Sequence, residues 1–543
     1  MPSALIQTLR DRGKQLFDKR QGLLTLWQEI ADNFYPERAD FTMINNLGDD
    51  MASHLMTSYP AIARRDLGNA FGSMLRPSAK DWFHAQTNRP EREDTEAKQW
   101  LEWATKLTKN AMYDRVAQFN RATKQGDHDF AAFGQCVIST EINYRVNALL
   151  FRSWHLRDCA WVEDDTGEAT TLYRKWKPTA MELKGLFGDK IHSKVAKKLE
   201  KSPYDEIPTW HIVLPAEQYN ELPGVKRIRQ PFVSIYLDVE NEHLMEEVGQ
   251  WVHPYIVPRW QTVSGTQYAH SPASVAALGD ARLIQAMTTV LLEAGEKAVS
   301  PPMLATKEAI RGDISIYAGG ITWVDQDYDE RLGEVLRPMT QDKSGLNFGF
   351  EMNADIRSQI TEAFYLNKLT LPPVGGPDMT AYEVGQRVQE YIRQALPLFE
   401  PMEDDYNGRL CETTFDLLLR AGAYGDPRNI PRTIQGSDIK FTFESPLHEA
   451  TEKAKLGQFM EAQQVLAQAI SLDPTTAYLV DSKKATRDVL EAVAPASWLN
   501  DEMEVEALVR AQEEEAMQQN LLDKVEQGSN IAKNLGEVEQ PAV

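Results

Sequence analysis

The sequence predicts a mainly helical α+β protein. Three observations carry that expectation: one long helical pattern over 272–299, a train of short β-branched and aromatic runs between about 134 and 262, and an acidic helical end after 449. Apolar residues three and four apart mark the helices, and short runs rich in Val, Ile, Thr and aromatics mark the strands.

Taken in order, residues 4–36 read as two helical stretches. Leu5, Leu9, Leu16 and Phe17 line the first, and Leu23, Leu26, Trp27 and Ile30 the second, which stops at Pro36. A further helix is expected over 94–118, with Trp100, Trp103, Leu107 and Met112 along one side. The strand runs are "QCVISTEINY", "TLYRKWKP", "TWHIVLP", "FVSIYLDV" and "YIVPRW". A basic stretch at 182–201, with Lys190, Lys194, Lys197, Lys198 and Lys201, interrupts them and reads as a solvated helix face.

The long helix has defined ends. Ser271 supplies an N-cap oxygen, Pro272 sits where its missing N–H costs nothing, and Pro301–Pro302 stop the helix. Roughly 28 residues at 1.5 Å each give a rod of about 42 Å. "DISIYAGGITWV" follows as two strands around Gly319–Gly320. A second helix is expected from about Asn353 to Lys368, with Ile356, Ile360 and Phe364 at steps of four. Next come "LPPVGGPDMTAYEV" (371–384) and a helical region from Thr380 to about Leu419. Pro397 and Pro401 must kink it, because each removes a donor and crowds the preceding turn. A last strand, "IKFTFESP", precedes the end of the chain, where residues from 451 onward hold 17 Asp and Glu against 8 Lys and Arg. The final stretch after about 525 has the composition of a mobile tail.

The totals narrow the function classes. A net charge of −22 argues against a general nucleic-acid coat, since phosphate binding needs clustered Lys and Arg. Cys136, Cys159 and Cys411 form no CxxC pair, which disfavours a disulfide scaffold or zinc ribbon and fits a reducing compartment. No apolar run approaches the roughly 18 residues of a membrane span. Met1 to Arg20 is charged throughout and lacks a signal-peptide core. The expectation is a soluble protein made inside a cell.

No catalytic constellation emerges. The Gly375–Gly376 pair is no P-loop: a helix precedes it, and no lysine stands between 369 and 400 to reach phosphates. Asp127-His128-Asp129 is half of a metal or acid/base site at most, with no second His at ligand spacing, and is expected to be structural. GxSxG, HExxH and GxGxxG are absent, so neither enzyme nor cofactor is expected. Thr380 and Glu383 form a capping box instead, and Asp378 adds charge at the same helix start. Residues 369–379 are therefore a loop between helices, longer than a simple bundle turn needs.

Several strings, in this order, carry a resemblance. They are "PSAKDWF" (77–83), "VPRWQTVSGTQYAHSPASVAALGDARLIQAM" (257–287), "SPPML" (300–304), "GGPDMTAYEVGQRVQE" (375–390) and "LRAGAYGDP" (419–427). Together they resemble the portal, or head-to-tail connector, proteins of short-tailed double-stranded DNA bacteriophages, over roughly residues 5–450. The resemblance implies a homo-oligomeric ring of twelve copies around a DNA channel at one capsid vertex, assembled in the host bacterial cytoplasm. It implies a portal fold: a wing (1–270), a first stem helix (271–299), a clip (300–351), a second stem helix (352–368), a tunnel loop (369–379), a kinked wing helix and strand (380–448), an acidic helical crown (449–525) and a flexible tail (526–543). The channel-facing loop residues would be Leu371, Pro372, Pro373, Val374, Gly375, Gly376, Pro377 and Asp378. The clip residues Arg311, Asp313, Tyr317, Trp323 and Asp325 would dock the terminase large subunit or a tail adaptor protein. Scaffolding, major capsid and internal core proteins would be further partners, with double-stranded DNA passing through and no membrane. The competing readings are a tail or capsid structural protein without a DNA channel, and an enzyme with a non-obvious site.

Overall fold

The computed structural model describes residues 4–443, apart from 47, 79–80, 91–92, 144, most of 306–335, 340–343 and 370–401, together with a few isolated positions beyond 443. The chain divides into two compact units. One comprises Met1–Trp82, Thr108–Ala423 and Phe443–Pro446, and the other Phe83–Leu107, Tyr424–Thr442 and Leu447–Val543.

The larger unit begins with α1 (Ala4–Lys19) and α2 (Gln21–Phe34), followed by α3 (Tyr59–Leu75). In the smaller unit, β1 (Phe83–Thr87) pairs with the late strand Ile439–Phe443, and α4 (Thr95–Tyr113) starts beside it. Ala85, Ala97, Leu101 and Ile434 form that unit's core, and Thr105 Oγ1 accepts from Ala85 N at 3.0 Å.

Back in the larger unit, α5 (Phe119–Phe133) leads into β2 (Val137–Asn143), β3 (Ala148–Trp154), β4 (Cys159–Glu163) and β5 (Ala169–Trp176). The helices α6 (Ala180–Phe187) and α7 (Ser193–Lys201) come before β6 (Thr209–Pro215), α8 (Ala216–Asn220), β7 (Phe232–Asp238), β8 (His243–Gln250) and β9 (Tyr255–Ile256). Strands β4 to β8 form an antiparallel sheet in sequence order, with Leu172 opposite Val213 and Ile212 opposite Ile235. Strand β6 is buried along nearly its whole length, which is why it reads as a continuous apolar run rather than an alternating one. Leu5, Ile6, Leu9 and Phe17 of α1 cover this sheet, where Gly13 lets the helix backbone meet the Trp210 ring. A Cβ there would collide with the indole.

The second sheet has the order β3-β2-β9. A polar network joins the two sheets. Arg174 Nε donates to Tyr255 OH at 2.7 Å, its guanidinium stacks 3.7 Å from the Trp154 ring, and His211 meets both Tyr255 OH and Ser234 Oγ. Burial, aided by Arg174, pushes the His211 pKa well below its ordinary value, so the ring is neutral.

The long helix α9 (Pro272–Val299) has the predicted bounds. It is also long and apolar enough to cross a membrane by length and composition, with 22% of the relevant window buried. It is no unbroken apolar run, since Asp280 and Arg282 stand within it and Glu293, Glu296 and Lys297 near its end. A short pair, β10 (Met303–Ala305) and β11 (Leu336–Pro338), then precedes α10 (Ser344–Ala363) and α11 (Leu366–Leu369). The second helix thus starts before the expected Asn353, and Tyr365, at positive φ, separates its end from α11. The basic stretch 182–201 is two helices rather than one, broken by the turn Gly188–Lys190. "YIVPRW" contributes only Tyr255–Ile256 as strand, because Pro258 cannot donate to a ladder.

Candidate functional site: the paired long helices and the return segment

The start of α9 is fixed by its cap. Ser271 Oγ accepts from Ser274 N at 3.2 Å and donates to Ala131 O at 2.8 Å, so one hydroxyl caps the start of the helix and ties it to α5. Ala273, Ser274, Ala277, Leu278, Ala281 and Ile284 are buried at helical spacing. Farther along, Arg282 pairs with Glu29, and Gln285 Oε1 accepts from Met56 N and Thr57 N at 2.7 and 2.9 Å. The buried stripe ends at Ile284.

Beyond Gln285, among the described residues, α9 packs on α10, antiparallel to it. Asn353 meets Thr288 at 3.5 Å, and Gly349 lies against Leu291 so closely that a Cβ would clash. At the other end Ile356, Ile360 and Phe364 are buried, the Phe364 ring 5.3 Å from Phe34, and Tyr59 OH meets Thr361 Oγ1 at 2.5 Å. The far halves are different. Val290 and Leu292 are exposed, Val299 is 89% exposed, and Phe348 and Phe350 are 68% and 61% exposed. Between them lies a cleft of about 1060 Å³ lined by Leu291, Leu292, Val299, Phe350 and Ala354, with Lys297 and Arg357 at its polar edge. Another face of α10 carries Glu351, Asp355 and Glu362, all exposed, with Gln359 Nε2 donating to Asp355 at 3.2 Å.

The chain returns from 370–401 as a π-helix, Met402–Gly408, continued by the α-helix Arg409–Arg420. A π-turn directly after Pro401 is where a backbone with a lost i→i−4 bond relaxes. Met402, Tyr406 and Asn407 are buried there. Arg76 Nη1 donates to Asn407 Oδ1 at 2.7 Å, its Nη2 pairs with Asp127, and its guanidinium lies 4.7 Å from the Tyr406 ring centre. Burial opposes the Arg76 charge, but Asp127 and Tyr406 outweigh it and raise the pKa, so the cation is kept. Gly126 has no room for a side chain because Tyr406 OH and Ile138 occupy that space. On the other side Asp405 accepts from Arg259 N at 3.3 Å, and Arg409 pairs with Glu168.

Asp127-His128-Asp129 is structural, as the sequence suggests. Each member meets an arginine: Asp127 takes Arg76, His128 Nδ1 accepts from Arg64 at 2.9 Å, and Asp129 takes Arg38 through two bonds of 3.1 and 2.7 Å. Burial and then Arg64 lower the His128 pKa to about 4. Among the described residues no group of His, Cys, Asp and Glu could hold a metal ion, and the three cysteines are buried and free.

The sequence-predicted loop residues Leu371 to Asp378 lie outside the described residues, as do Arg311, Asp313, Tyr317 and Asp325, the Gly319–Gly320 hairpin, the Thr380–Glu383 capping box and nearly all of 449–543. Trp323 is described and is 71% exposed. The structure adds residues that the sequence reading missed. Val290, Leu292, Val299, Phe348 and Phe350 left no signal separable from core positions of an amphipathic helix. Arg76 and Asn407 are too far apart in sequence for any local pattern.

Comparisons with known proteins agree in kind. The model of the bacteriophage head to tail connecting protein family matches residues 6–498. The probable portal protein of Bordetella phage BPP-1 is 26% identical over 460 residues, covering 81% of this chain and 79% of its own. The portal protein of Salmonella phage epsilon15 is 21% identical over 494 residues, covering 87% of this chain and 84% of its own. Among solved structures, chains from the virion of a native gene transfer agent particle and from the neck of an empty one align at TM-scores of 0.34 and 0.35. Both are 12% identical and cover 81% and 77% of this chain and 91% of their own, which is too weak a likeness to carry a shared architecture. With the family model spanning nearly the whole sequence, the chain belongs to the bacteriophage head to tail connecting protein family.

Proposed function

We propose that this protein is the portal of a short-tailed phage. It is a ring at one capsid vertex through which double-stranded DNA enters during packaging and leaves during ejection, and on which the tail is built. The observation that carries the ring is the half-finished helix pair. The far halves of α9 and α10 expose Val290, Leu292, Val299, Phe348 and Phe350, three of them lining an apolar cleft, whereas the near halves bury a stripe from Ala273 to Ile284 and Ile356, Ile360 and Phe364. Exposed apolar surface of this size calls for a partner, and identical copies repeated around an axis supply one at every position. In such a ring each subunit offers one flank of the pair to the next through head-to-tail, heterologous contacts. The apolar character of α9 finds its explanation there as well, since its first half is packed against α2 and α5.

The finer assignments rest on the same reading. The ring has twelve copies. Helices α9 and α10 are the stem, the residues between them, including Arg311, Asp313, Tyr317, Trp323 and Asp325, the clip, and 371–378 the tunnel loop facing the DNA. The acidic segment after 449 is the crown toward the capsid interior. The terminase large subunit and tail adaptor dock at the clip, and scaffolding, major capsid and internal core proteins meet the rest. No chemistry is required of the chain itself. The exposed carboxylates Glu351, Asp355 and Glu362 on α10, with the net charge of −22, support a channel that offers the duplex few cation–phosphate contacts. Each such contact would release counterions and add affinity, holding DNA fast.

Electron microscopy of the purified protein tests the reading directly. A ring with a central hole is expected, and a featureless monomer or a closed shell would overturn it. Deleting Pro373 to Pro377 should leave the ring intact yet impair packaging or retention of DNA. Normal yields of filled, infectious particles would remove the loop from the channel.

A further inference from the structure

One surface of the larger unit is not used by the ring-and-channel reading. Antiparallel neighbours such as β5 and β6 are joined in an ordinary hairpin by about two to five residues. Here the connection runs from Trp176 to Thr209 and folds into α6, the turn Gly188–Lys190 and α7, with a core of Ala180, Leu183, Phe187, Ile191 and Val195 closed by Ile207 and Met245. It is a small lobe with a hydrophobic centre of its own.

The outer face of α7 is basic. Val195 is its buried residue, with Leu199 beside it. At 3.6 residues per turn, Lys194, Lys197, Lys198 and Lys201 fall within an arc of about 100° turned away from that side. Lys198 pairs with Glu240 at 3.2 Å, and Lys190, ahead of the helix, pairs with Glu246 at 2.9 Å. Lys194, Lys197 and Lys201 are exposed, and among the described residues no carboxylate lies within ion-pair distance of them. Tyr204, three positions past Lys201, is 76% exposed. Exposed Met181 adjoins it, because Met181 N donates to Pro203 O at 3.0 Å.

We propose that Lys194, Lys197 and Lys201, with Tyr204 and Met181, dock an acidic amphipathic helix of another protein. Three features favour that occupant. The lysines stand at i, i+3 and i+7, the spacing at which a facing helix presents carboxylates along one stripe. Tyr204 and Met181 offer the apolar contact that such a helix's other residues need, and exposed Tyr and Met are residue types enriched at interfaces. The remainder of a chain with net charge −22 repels an acidic partner, so the complementary island also sets its orientation. Duplex DNA is the weaker fit. It needs an extended track of cations, whereas Lys194, Lys197 and Lys201 span only about two turns of one short helix.

The test uses the full chain and a fluorescent helical peptide with Glu at i, i+3 and i+7 beside a Leu strip, read by anisotropy. Lys194→Glu/Lys197→Glu/Lys201→Glu should weaken binding roughly tenfold or more and flatten its dependence on salt. Tyr204→Ala should weaken it several-fold while leaving the salt dependence in place. A scrambled peptide of equal composition, its carboxylates spread around the helix, should bind no better to wild type than to the triple variant. The single variant Lys197→Ala repeats the test if the triple one does not match wild type by circular dichroism. Equal peptide binding by wild type and Lys197→Ala, or equal capture of the scrambled peptide, would overturn the proposal. So would a 30-base-pair duplex that binds more tightly than the peptide and loses that binding in the variants.

Discussion

The interior of the larger unit and the far half of its paired long helices solve the same problem in opposite ways. Inside, polar groups brought together from distant parts of the chain meet one another. Arg76 has Asp127 and Asn407, Arg38 has Asp129, Arg64 has His128, and His211 has Tyr255 and Ser234. Past Ile284 the α9–α10 pair carries large exposed apolar side chains, with little among the described residues to cover them. The first region packs within a single chain, and in the ring proposed above the second is the one that meets a neighbour. Substitutions should therefore separate folding from assembly cleanly, depending on which region they enter.

The largest effect on folding is expected at Arg76. Removing one partner of a buried pair leaves the other charge uncompensated, which costs about 3–5 kcal/mol. Arg76→Met should lower the urea midpoint of the larger unit accordingly. Arg76→Met combined with Asp127→Leu should recover much of the loss, since no lone charge then remains. An unchanged midpoint for the single variant would mean that Asn407 and Tyr406 hold the π-turn without the ion pair.

Acid should act on the same region next. Burial lowers the pKa of His128 and of His253 to about 4, and takes His211 well below its ordinary value of about 6.5. A histidine with a depressed folded pKa binds fewer protons folded than unfolded across that interval. Stability therefore falls as pH drops from about 6.5 toward 4, and is recovered above 6.5. Denaturation midpoints measured from pH 7.5 to 4.5 should show this slope, and His128→Asn should make it shallower. A flat profile would indicate that these rings are protonated in the fold.

How much of this was legible beforehand depended on the range of the signal. The bounds of α9 follow from Ser271, Pro272 and Pro301–Pro302, all local cues, and β6 follows from an unbroken apolar run. Strand β8, "HLMEEVGQ", escaped because it is an edge strand whose Glu246 and Glu247 mask any apolar run. Pro401 lies outside the described residues, and no local cue announced that Met402–Gly408 after it is a π-helix held at Asn407 by Arg76 from 331 positions earlier. Nor does a sequence distinguish an apolar helix position covered by its own chain from one left open. Ile284 and Val290 look alike in the sequence and differ in burial. The functional family was legible from strings spread along the chain, whereas the clasp that fixes the return segment was not.

The smallest effect on folding, and the sharpest test of the comparison, is expected at the tips of the long helices. Val299 and Leu292 are exposed, so replacing them removes almost no contact within one chain. Exposed substitutions of this kind stay within about 0.5 kcal/mol. In a ring the same positions face a neighbour, and a carboxylate there would be buried against apolar surface without a partner, at a cost of several kcal/mol at each of many repeated contacts. Leu292→Glu/Val299→Glu should therefore unfold at the wild-type urea concentration, yet sediment as a monomer where wild type sediments as a ring. Arg76→Met should do the reverse, losing stability while the remaining folded molecules still assemble. If the stem variant forms rings as readily as wild type, the apolar far half is not the contact between copies, and the neighbour must be sought on another face. If it loses several kcal/mol as a monomer, these side chains are already part of a core, and the contrast between a finished region and a waiting one does not hold.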